Sequence, residues 1–550
     1  MTAATKTNPL TPDLGLQLAK TLGGNQADFA RIVQRLLQAL ERGDSCVNLT
    51  ADQIEIVKRQ PTVSAGGDQP FVLEGERFYL QRYWQHEVRL AARLNQMAKA
   101  VVPLWEQALS PFFNDEHQLA AAKLALTQQL AVITGGPGTG KTTTVVKILT
   151  LLRLQNPNVR IALAAPTGKA AMRLTESIHQ GKQDVASVRS VFAAHLTALD
   201  SVPSEAKTLH RLLGVLPLSP EFRHNASHPL SADVVVVDEA SMVDIGTMSR
   251  LVTALKPGAR LILMGDKDQL ASVETGSVLS DISEGLPHNR VHLQTTYRFS
   301  GAIKALAEAV NHQDVAAAQA VFLQGDPAVS RTQMDVVEFA RRGYQAYQQL
   351  AQDPAADLET LFITFAAFQV LCATRRDKAR FDHLADESDV WYPGRPVMIL
   401  ENHAELGLFN GDIGITRFAD RTADVSVDTF ADTSKDTSTD TSTALQVFFP
   451  VSEGYKAFMP AQLPAHETAY AMTIHKSQGS EFGHVLIVLP ALAEDDTPSQ
   501  RVDSLLTKEL LYTAITRAKQ KVTLSATDTG LKAAIQQSVK RNSGLVERLR

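Results

Sequence analysis

The chain has 550 residues, of which 44% are hydrophobic and 21% charged, and this ordinary globular usage excludes a disordered, collagen-like or coiled-coil protein. The net charge of −5 excludes a basic coat over the whole surface, so any contact with nucleic acid must be confined to a groove. Only two cysteines, no secretory signal and no apolar run of about 18 residues predict a cytoplasmic protein without a disulfide scaffold or a membrane partner.

The first part of the chain has a helical pattern. Phe29, Ile32, Val33 and Leu36 recur at the spacing of one helix face, with polar residues between them. We therefore predict a helical N-terminal domain over residues 1–110, ending near Pro111. It carries no chemical motif, so we expect it to dock partner subunits and expect the rest of the chain to fold without residues 1–105.

From about residue 111 the pattern changes to short apolar runs that alternate with helical stretches. Continuous apolar strands separated by helices are typical of a parallel sheet covered on both faces. The runs form two successive sets, which predict two α/β layers over residues 111–290 and 291–550. The first set is 130–134, 161–165, 234–237 and 261–264, and the second is 369–373, 485–489 and 522–525.

Residues 424–443 form an acidic, repetitive segment. An aspartate recurs every fourth residue, and Asp-Thr-Ser appears three times. Because serine and threonine favour turns over helix interiors, we interpret the segment as a low-complexity insertion in a surface loop.

The strongest motif is a glycine-rich loop that follows the first apolar run and precedes a helical stretch. Glycines let backbone N–H groups turn toward phosphate oxygens, and the helix presents its positive end to the same anion. The sequence therefore predicts an ATP site, with Lys141 on the β- and γ-phosphates and the Thr142 hydroxyl on Mg²⁺. The expected nucleotide contacts are Gly135, Gly136, Pro137, Gly138, Thr139, Gly140, Lys141, Thr142 and Thr143.

Two carboxylates follow the four valines of residues 234–237. A buried strand that ends in acidic residues delivers them to the edge where α/β sheets bind ligands. We expect Asp238 to hold Mg²⁺ and Glu239 to orient and deprotonate the attacking water. Gln269, after another apolar strand, could sense the γ-phosphate. Together these residues predict an ATP hydrolase.

Further segments occur in an order that a simple ATPase does not require. In that order, they resemble the motor motifs of superfamily-1 helicases. The sequences of these segments, together with those of residues 394–399 and 406–414, are similar to the RecD branch of the superfamily. This branch comprises the alpha subunits of the RecBCD-type exodeoxyribonuclease V. The segments are 135–142, 164–171, 208–214, 238–241, 263–270, 297–299, 471–482 and 511–519.

The resemblance implies a fold and further nucleotide contacts. It implies two RecA-like P-loop lobes that enclose ATP, with a small protruding subdomain near 214–232 and a small β-barrel inserted near 394–465. Arg298 and Arg517 match arginines that stabilise charge on the transferring phosphate, a role that suits a permanently charged planar group. The remaining matches are Gln118 for reading adenine, Tyr297 for stacking on the base, and Gly479 and Glu481 for contacting the nucleotide.

The resemblance also implies a DNA track and partner proteins. A motor that steps along any sequence should contact mainly phosphates of single-stranded DNA while it unwinds double-stranded DNA. The implied movement along the DNA strand is 5′→3′. The implied setting is a heterotrimer with RecB-like and RecC-like subunits, which repairs double-strand breaks by recombination. The nuclease site would lie in a partner subunit. The residues that match positions facing the DNA strand are Thr167, His210, Thr473, His475 and Lys476.

Two alternatives remain open from the sequence. One is a stand-alone RecD-like DNA helicase without nuclease partners. The other is an assembly subunit with a vestigial ATP site, against which the intact Lys141, Asp238, Glu239 and Arg517 argue.

Overall fold

The computed structural model divides the chain into two compact units. The first comprises Met1–Thr295 with Lys540–Arg550, and the second comprises Thr296–Val539. The structure describes residues 27–102, 109–187, 195–216, 219, 221–272, 274–296, 301–382, 384, 390–403, 405–418, 445–451, 454–490 and 506–550.

The first unit begins with a small α/β layer that contains a four-stranded sheet, so the prediction of a helical N-terminal domain is wrong. Its elements are α1 (Ala27–Glu41), β1 (Cys46–Asn48), α2 (Ala51–Lys58), β2 (Val63–Ser64), β3 (Phe71–Glu74), β4 (Arg77–Leu80) and α3 (Gln81–Lys99). The sheet has the order β1-β4-β3-β2. The predicted helix is present as α1, whose apolar face packs on Phe71 and Phe78 of the sheet.

The main body of the first unit alternates strands and helices, as the apolar runs predicted. Its elements are α4 (Glu116–Thr127), β5 (Leu130–Gly135), α5 (Lys141–Gln155), β6 (Ile161–Ala165), α6 (Gly168–Ser187), α7 (Leu196–Asp200), β7 (Ala206–Thr208), α8 (Leu209–Leu213), β8 (Val234–Val237), α9 (Ile245–Ala254), β9 (Arg260–Gly265), α10 (Val278–Gly285) and β10 (Arg290–Leu293). The strands form one parallel sheet in the order β10-β5-β9-β8-β6-β7.

Both faces of this sheet are covered. In β8, Val235 and Val237 join one apolar cluster while Val234 and Val236 join the cluster on the opposite face, because successive side chains of a strand point to opposite sides. The first cluster also contains Leu94 of α3. Helix α3 is therefore part of the main core, which argues against the expectation that the rest of the chain folds without residues 1–105.

The second unit contains a parallel sheet and an inserted antiparallel sheet. Its elements are α11 (Ala302–Asn311), α12 (Val315–Leu323), β11 (Val329–Arg331), α13 (Val336–Gly343), α14 (Gln345–Ala351), α15 (Leu358–Ala366), β12 (Phe368–Cys372), α16 (Arg375–Lys378), β13 (Pro396–Ile399), β14 (Ile413–Phe418), β15 (Leu445–Val451), β16 (Gly454–Phe458), β17 (His466–Thr468), β18 (Ala471–Thr473), β19 (Phe482–Val488), α17 (Lys508–Ile515), β20 (Ala518–Ser525) and α18 (Asp528–Gln536).

The two sheets of the second unit have different topologies. The parallel sheet has the order β11-β20-β19-β12-β18, and it contains the three strands predicted from the second set of apolar runs. The insertion at the predicted position forms an antiparallel sheet in the order β16-β15-β14-β13-β17. Its closure into a barrel stays a prediction, and the acidic repeat of residues 424–443 lies outside the described residues.

The end of the chain returns to the first unit, although the sequence assigned it to the second layer. Its helix α19 (Leu545–Leu549) packs against α3 and α10, and Leu545 and Leu549 enter the main core of the first unit. The fully buried carboxylate of Glu87 on α3 accepts hydrogen bonds from the Gly544 N–H and the Ser45 hydroxyl. A buried carboxylate surrounded by donors thus ties the chain terminus to the N-terminal layer.

The described residues of 214–232 contain a short turn. Val215 bridges Phe222, and the Arg223 N–H donates to the Gly214 carbonyl at 2.8 Å. Phe222 and Leu230 pack into the main core of the unit. Protrusion of this segment stays a prediction. Among the described helices, none is both long and apolar enough to cross a membrane.

Candidate active site

The glycine-rich loop joins β5 to α5 in the first unit. Gly138 and Gly140 have φ values of 75° and 76°, a left-handed conformation that favours glycine. A Cβ atom on Gly135 would lie 2.7 Å from Thr139 Oγ1 and 3.0 Å from the Leu293 carbonyl oxygen, so this position has no room for a side chain. Backbone conformation and close packing therefore both require the glycines of the motif.

The loop curls around the ammonium group of Lys141. Lys141 Nζ donates to the carbonyl oxygens of Gly135 at 2.7 Å and of Gly136 at 3.0 Å. Thr142 and Thr143 follow in the first turn of the 15-residue helix α5, half-buried, while Pro137 is buried within the loop. The positive end of the helix and the lysine thus lie at one place, which is an arrangement that binds phosphate.

Asp238 and Glu239 leave the buried strand β8 in a constrained turn. The Asp238 N–H donates to the Ala164 carbonyl at 2.9 Å, and Asp238 Oδ1 accepts from the Glu239 N–H at 2.9 Å. Burial, followed by the Glu239 charge, raises the pKa of Asp238 to about 6, while the nearby Lys141 ammonium opposes that shift. The lysine and both carboxylates therefore belong to one site.

Gln269 lies after β9, the strand between β5 and β8. Its side chain is buried and donates to Asp266 Oδ2 at 3.2 Å. Because the strands are parallel and adjacent, the loops after β5, β9 and β8 meet at one edge of the sheet. The structure thus brings together Lys141, Gln269 and the Asp238–Glu239 pair, as the motifs predicted.

Gln118 lies on α4, which packs against α5 and β10. The residue is buried, and its backbone N–H donates to Asp115 Oδ1 at 2.9 Å. The Thr295 hydroxyl donates to Asp115 Oδ2 at 2.7 Å, so the start of α4 is fixed to the segment that follows β10. This places Gln118 on a helix beside α5; its contact with adenine stays a prediction.

The loops after β6 and β7 carry Thr167 and His210. Thr167 Oγ1 accepts from the Ala170 N–H at 3.2 Å and so caps the start of α6. His210 is exposed on α8, with its ring packed edge-on against Phe222 at 5.7 Å. Strands β6 and β7 extend the same sheet beyond β8, so these residues lie at the nucleotide edge but on strands farther from the glycine-rich loop.

In the second unit, Thr473 ends β18, and His475 and Lys476 follow it. Thr473 is level with Cys372 of β12, so all three lie at the carboxyl edge of the parallel sheet. Each is half-buried. Lys476 Nζ forms an ion pair with Glu467 Oε1 at 3.0 Å, a partner on the inserted sheet that the motifs did not indicate.

Glu481 and Arg517 lie at the opposite edge of that sheet, and Gly479 precedes Glu481 by two residues. Phe482 opens β19 directly after Glu481, and it is level with Ala518, which opens β20 directly after Arg517. Arg517 is only 3% exposed, and its guanidinium donates to the carbonyl oxygens of Thr513 at 3.1 Å and Ser480 at 3.3 Å. The carboxylate of Glu481 lies 3.7 Å from Lys519 Nζ, and Gly479 has a φ of 71°.

In the second unit, Thr473 therefore lies at the carboxyl edge of the sheet, whereas Glu481 and Arg517 lie at its amino edge. Gly479 lies between these positions in the chain, three residues after Lys476. Tyr297 and Arg298 lie outside the described residues. Motif reasoning missed Glu467, because its contact with Lys476 crosses between two sheets and leaves no local signal.

The loop, lysine and paired carboxylates at one edge of a parallel sheet define the first unit as a P-loop nucleoside triphosphatase. The AAA domain family matches residues 118–275, and the UvrD-like helicase C-terminal domain family matches residues 468–525. The RecD subunit of the Mycolicibacterium smegmatis RecBCD enzyme is 36% identical over 98% of this chain and 94% of its own length. The Haemophilus influenzae RecD subunit is 31% identical over 86% of this chain and 80% of its own. The chain belongs to the RecD family.

Two further comparisons cover smaller shares. The ATP-dependent RecD2 DNA helicase of Deinococcus radiodurans is 30% identical over 79% of this chain and 52% of its own length. Bacteroides Pif1 bound to single-stranded DNA overlaps 76% of this chain and 94% of its own, with a TM-score of 0.40 and 17% identity. From the RecD relatives and the helicase domains, the protein is an ATP-hydrolysing DNA helicase.

Proposed function

We propose that the first unit hydrolyses ATP at the carboxyl edge of its sheet. The observation that carries this proposal is the strand order β5-β9-β8, which gathers the glycine-rich loop, Gln269 and the Asp238–Glu239 pair. In the proposed roles, Lys141 binds the β- and γ-phosphates and Gln269 senses the γ-phosphate. Glu239 orients the attacking water and accepts its proton.

The same edge fits a magnesium ion. The Thr142 hydroxyl and the Asp238 carboxylate offer the oxygen donors that Mg²⁺ prefers. The buried Asp238, whose pKa is raised to about 6, is a carboxylate whose charged form a divalent cation would stabilise. When bound with ATP, the ion would neutralise phosphate charge. Asp238 and Thr142 are the residues that would hold it.

For the second unit we propose the nucleotide contacts that the family resemblance implies. These are Tyr297, Arg298, Gly479, Glu481 and Arg517. Supporting this, Glu481 and Arg517 directly precede β19 and β20 at the amino edge of the parallel sheet, and the Arg517 guanidinium donates to the Ser480 carbonyl oxygen. We propose further that the two parallel sheets are RecA-like lobes and that the inserted sheet closes into a small barrel.

The proposed substrate track is single-stranded DNA, followed 5′→3′ while duplex is unwound. Thr167, His210, Thr473, His475 and Lys476 would contact it. The proposed setting is a heterotrimer with RecB-like and RecC-like subunits, which repairs double-strand breaks by recombination and whose nuclease site lies in a partner. Supporting the setting, curated relatives over almost the whole chain are RecD subunits of RecBCD enzymes.

A strand-displacement assay tests this function. Duplexes with a 5′ or a 3′ single-stranded tail are offered to the chain alone and to the chain with RecB-like and RecC-like subunits. We expect unwinding from the 5′ tail and none by Lys141→Gln, whose DNA-stimulated ATPase should fall at least about 100-fold because a phosphate-binding charge is lost. Lys123→Gln, an exposed lysine on α4, is the matched control.

The outcomes distinguish the alternatives. Unwinding only from the 3′ tail would overturn the proposed direction. Full activity without partner subunits, and no binding to them, would favour a stand-alone helicase. An unchanged ATPase rate in Lys141→Gln would overturn the role of the P-loop and favour an assembly subunit.

A further inference from the structure

The short helix α16 follows β12, and α16 together with the turn after it, up to residue 382, carries a run of charged residues. Most of them are already paired. Lys378 Nζ lies 2.7 Å from Asp382 Oδ1, and Arg380 lies 3.5 Å from Asp335. Asp377 accepts a hydrogen bond of 2.6 Å from the Thr374 hydroxyl.

Arg375 and Arg376 are different. Both side chains are exposed, and within the described part of the chain neither makes an ion pair or a hydrogen bond through its guanidinium. Two adjacent arginines that have no protein partner while their neighbours are paired offer up to ten N–H donors to an external anion.

The position of these arginines is set by the sheet. Strand β12 pairs in parallel with β18, with Cys372 opposite Thr473, so the residues after both strands emerge at the same edge. Helix α16 also packs against β18. Arg375 and Arg376 therefore lie at the edge that carries Thr473, His475 and Lys476.

The lysines at this edge are already engaged within the protein. Glu467 of β17 binds both Lys378, at 3.3 Å, and Lys476, at 3.0 Å. The side chain of Lys378 is only 9% exposed, whereas that of Lys476 is 25% exposed. Glu467 thus anchors the inserted sheet to the motor sheet and compensates the lysine charges. The uncompensated positive charge belongs to the arginine pair.

We infer that Arg375 and Arg376 bind consecutive phosphates of the DNA strand on the second unit, extending the track beyond the motif residues. A guanidinium suits this task because it is always charged and binds phosphate through two parallel hydrogen bonds. Phosphate contacts are the same for every sequence, as a translocating motor requires. The inference rests on the proposed function, since it assumes that this edge faces DNA.

Salt-dependent binding of the full chain to a fluorescein-labelled oligothymidylate tests the inference. Each phosphate contact on a single strand adds about 0.7 to the slope of log K against log salt, so Arg375→Ala/Arg376→Ala should lower the slope by about 1.4. Between about 50 and 200 mM salt, the wild type should then lose about 7-fold more affinity than the variant. Arg375→Lys/Arg376→Lys keeps both charges and should retain most of the slope.

Arg341→Ala/Arg342→Ala is the matched control. It removes the same two charges from the exposed face of α13, where both arginines pair with Glu338, and it should bind with the wild-type slope. A wild-type slope in Arg375→Ala/Arg376→Ala, with the wild type binding DNA, would overturn this inference alone. A wild type that does not bind the strand would overturn the proposed function as well.

Discussion

Glu239 illustrates at the scale of one residue how the site is built. Its backbone has φ 49° and ψ 39°, a left-handed conformation that residues with side chains rarely adopt. The Asp238 carboxylate accepts the Glu239 N–H and stabilises this turn. The turn directs consecutive carboxylates differently from an extended strand, and such strain is concentrated at functional sites.

Replacing Glu239 by glutamine should separate binding from hydrolysis. The amide keeps the size of the side chain but cannot accept a proton, so we expect kcat to fall by about 100- to 10,000-fold while ATP still binds. Single-turnover hydrolysis and binding of a fluorescent ATP analogue measure the two effects. Glu221→Gln, an exposed glutamate of the same unit, should behave as wild type. Near-normal turnover in Glu239→Gln would remove this residue from the proposed role.

At the scale of elements, arginine side chains bind the last residues of the chain, 540–550, to the rest of the first unit. Arg548 of α19 pairs with Glu74 of β3 and lies 3.4 Å from the buried Glu87. Arg541 donates to the carbonyl oxygens of Ser272 and Gly276. These contacts join the final residues to the N-terminal sheet and to the main body of the first unit.

Asp281 lies on α10, which packs against α19, and it makes the stability of this packing depend on pH. Burial raises the pKa of Asp281 from its ordinary 3.8 to about 7, Ser543 opposes the shift, and Glu87, Glu284 and Glu547 add to it. The folded state therefore keeps a proton that the unfolded chain releases near pH 4. As pH rises from about 4 through 7, the folded state loses stability relative to the unfolded state, and the loss is complete above that window.

Asp281→Asn should remove this dependence, because the amide is neutral at every pH. We expect its Tm to exceed that of the wild type by several degrees near pH 8, where the wild-type carboxylate is charged, and to match it near pH 4. Thermal unfolding at both pH values gives the comparison, with Glu274→Gln as the control for an exposed acid. An equal Tm difference at both pH values would contradict the assignment.

At the scale of the whole molecule, α3 joins the N-terminal layer to the motor. Leu90, Leu94 and Met97 are fully buried in the cluster that also contains Val235 and Leu261 of the parallel sheet. A partner-docking role for the N-terminal layer remains compatible with this packing. Removal of the whole N-terminal layer is not compatible with it, because the sheet would lose the part of its cover that α3 supplies on one face.

Leu94→Ala should therefore destabilise the first unit by about 2–5 kcal/mol, the usual cost of a cavity at a fully buried leucine. Leu196→Ala, at a 44% exposed leucine, should change stability by less than about 0.5 kcal/mol. Denaturant unfolding measures both. Deleting residues 1–105 should leave an insoluble chain; a soluble, ATP-hydrolysing fragment would refute the structural role of α3.

Much of the architecture could be predicted from local patterns. The run of valines at 234–237 coincides with β8, and the run at 161–165 coincides with β6, because a strand buried on both faces must be apolar throughout. The helical N-terminal prediction failed because its strands are short and mixed. Strand β4, for example, has four residues, Arg77–Leu80, and runs directly into a helix.

The phosphate-binding loop, its lysine and the carboxylates that follow β8 were determined by the sequence alone, because each depends on neighbours within a few residues along the chain. Strand order, the partner of Lys476 and the return of the last eleven residues were decided only in three dimensions. Such features depend on contacts between residues far apart in the chain. Glu87 and Gly544 are 457 positions apart, so the sequence near Glu87 does not indicate which buried donor binds its carboxylate.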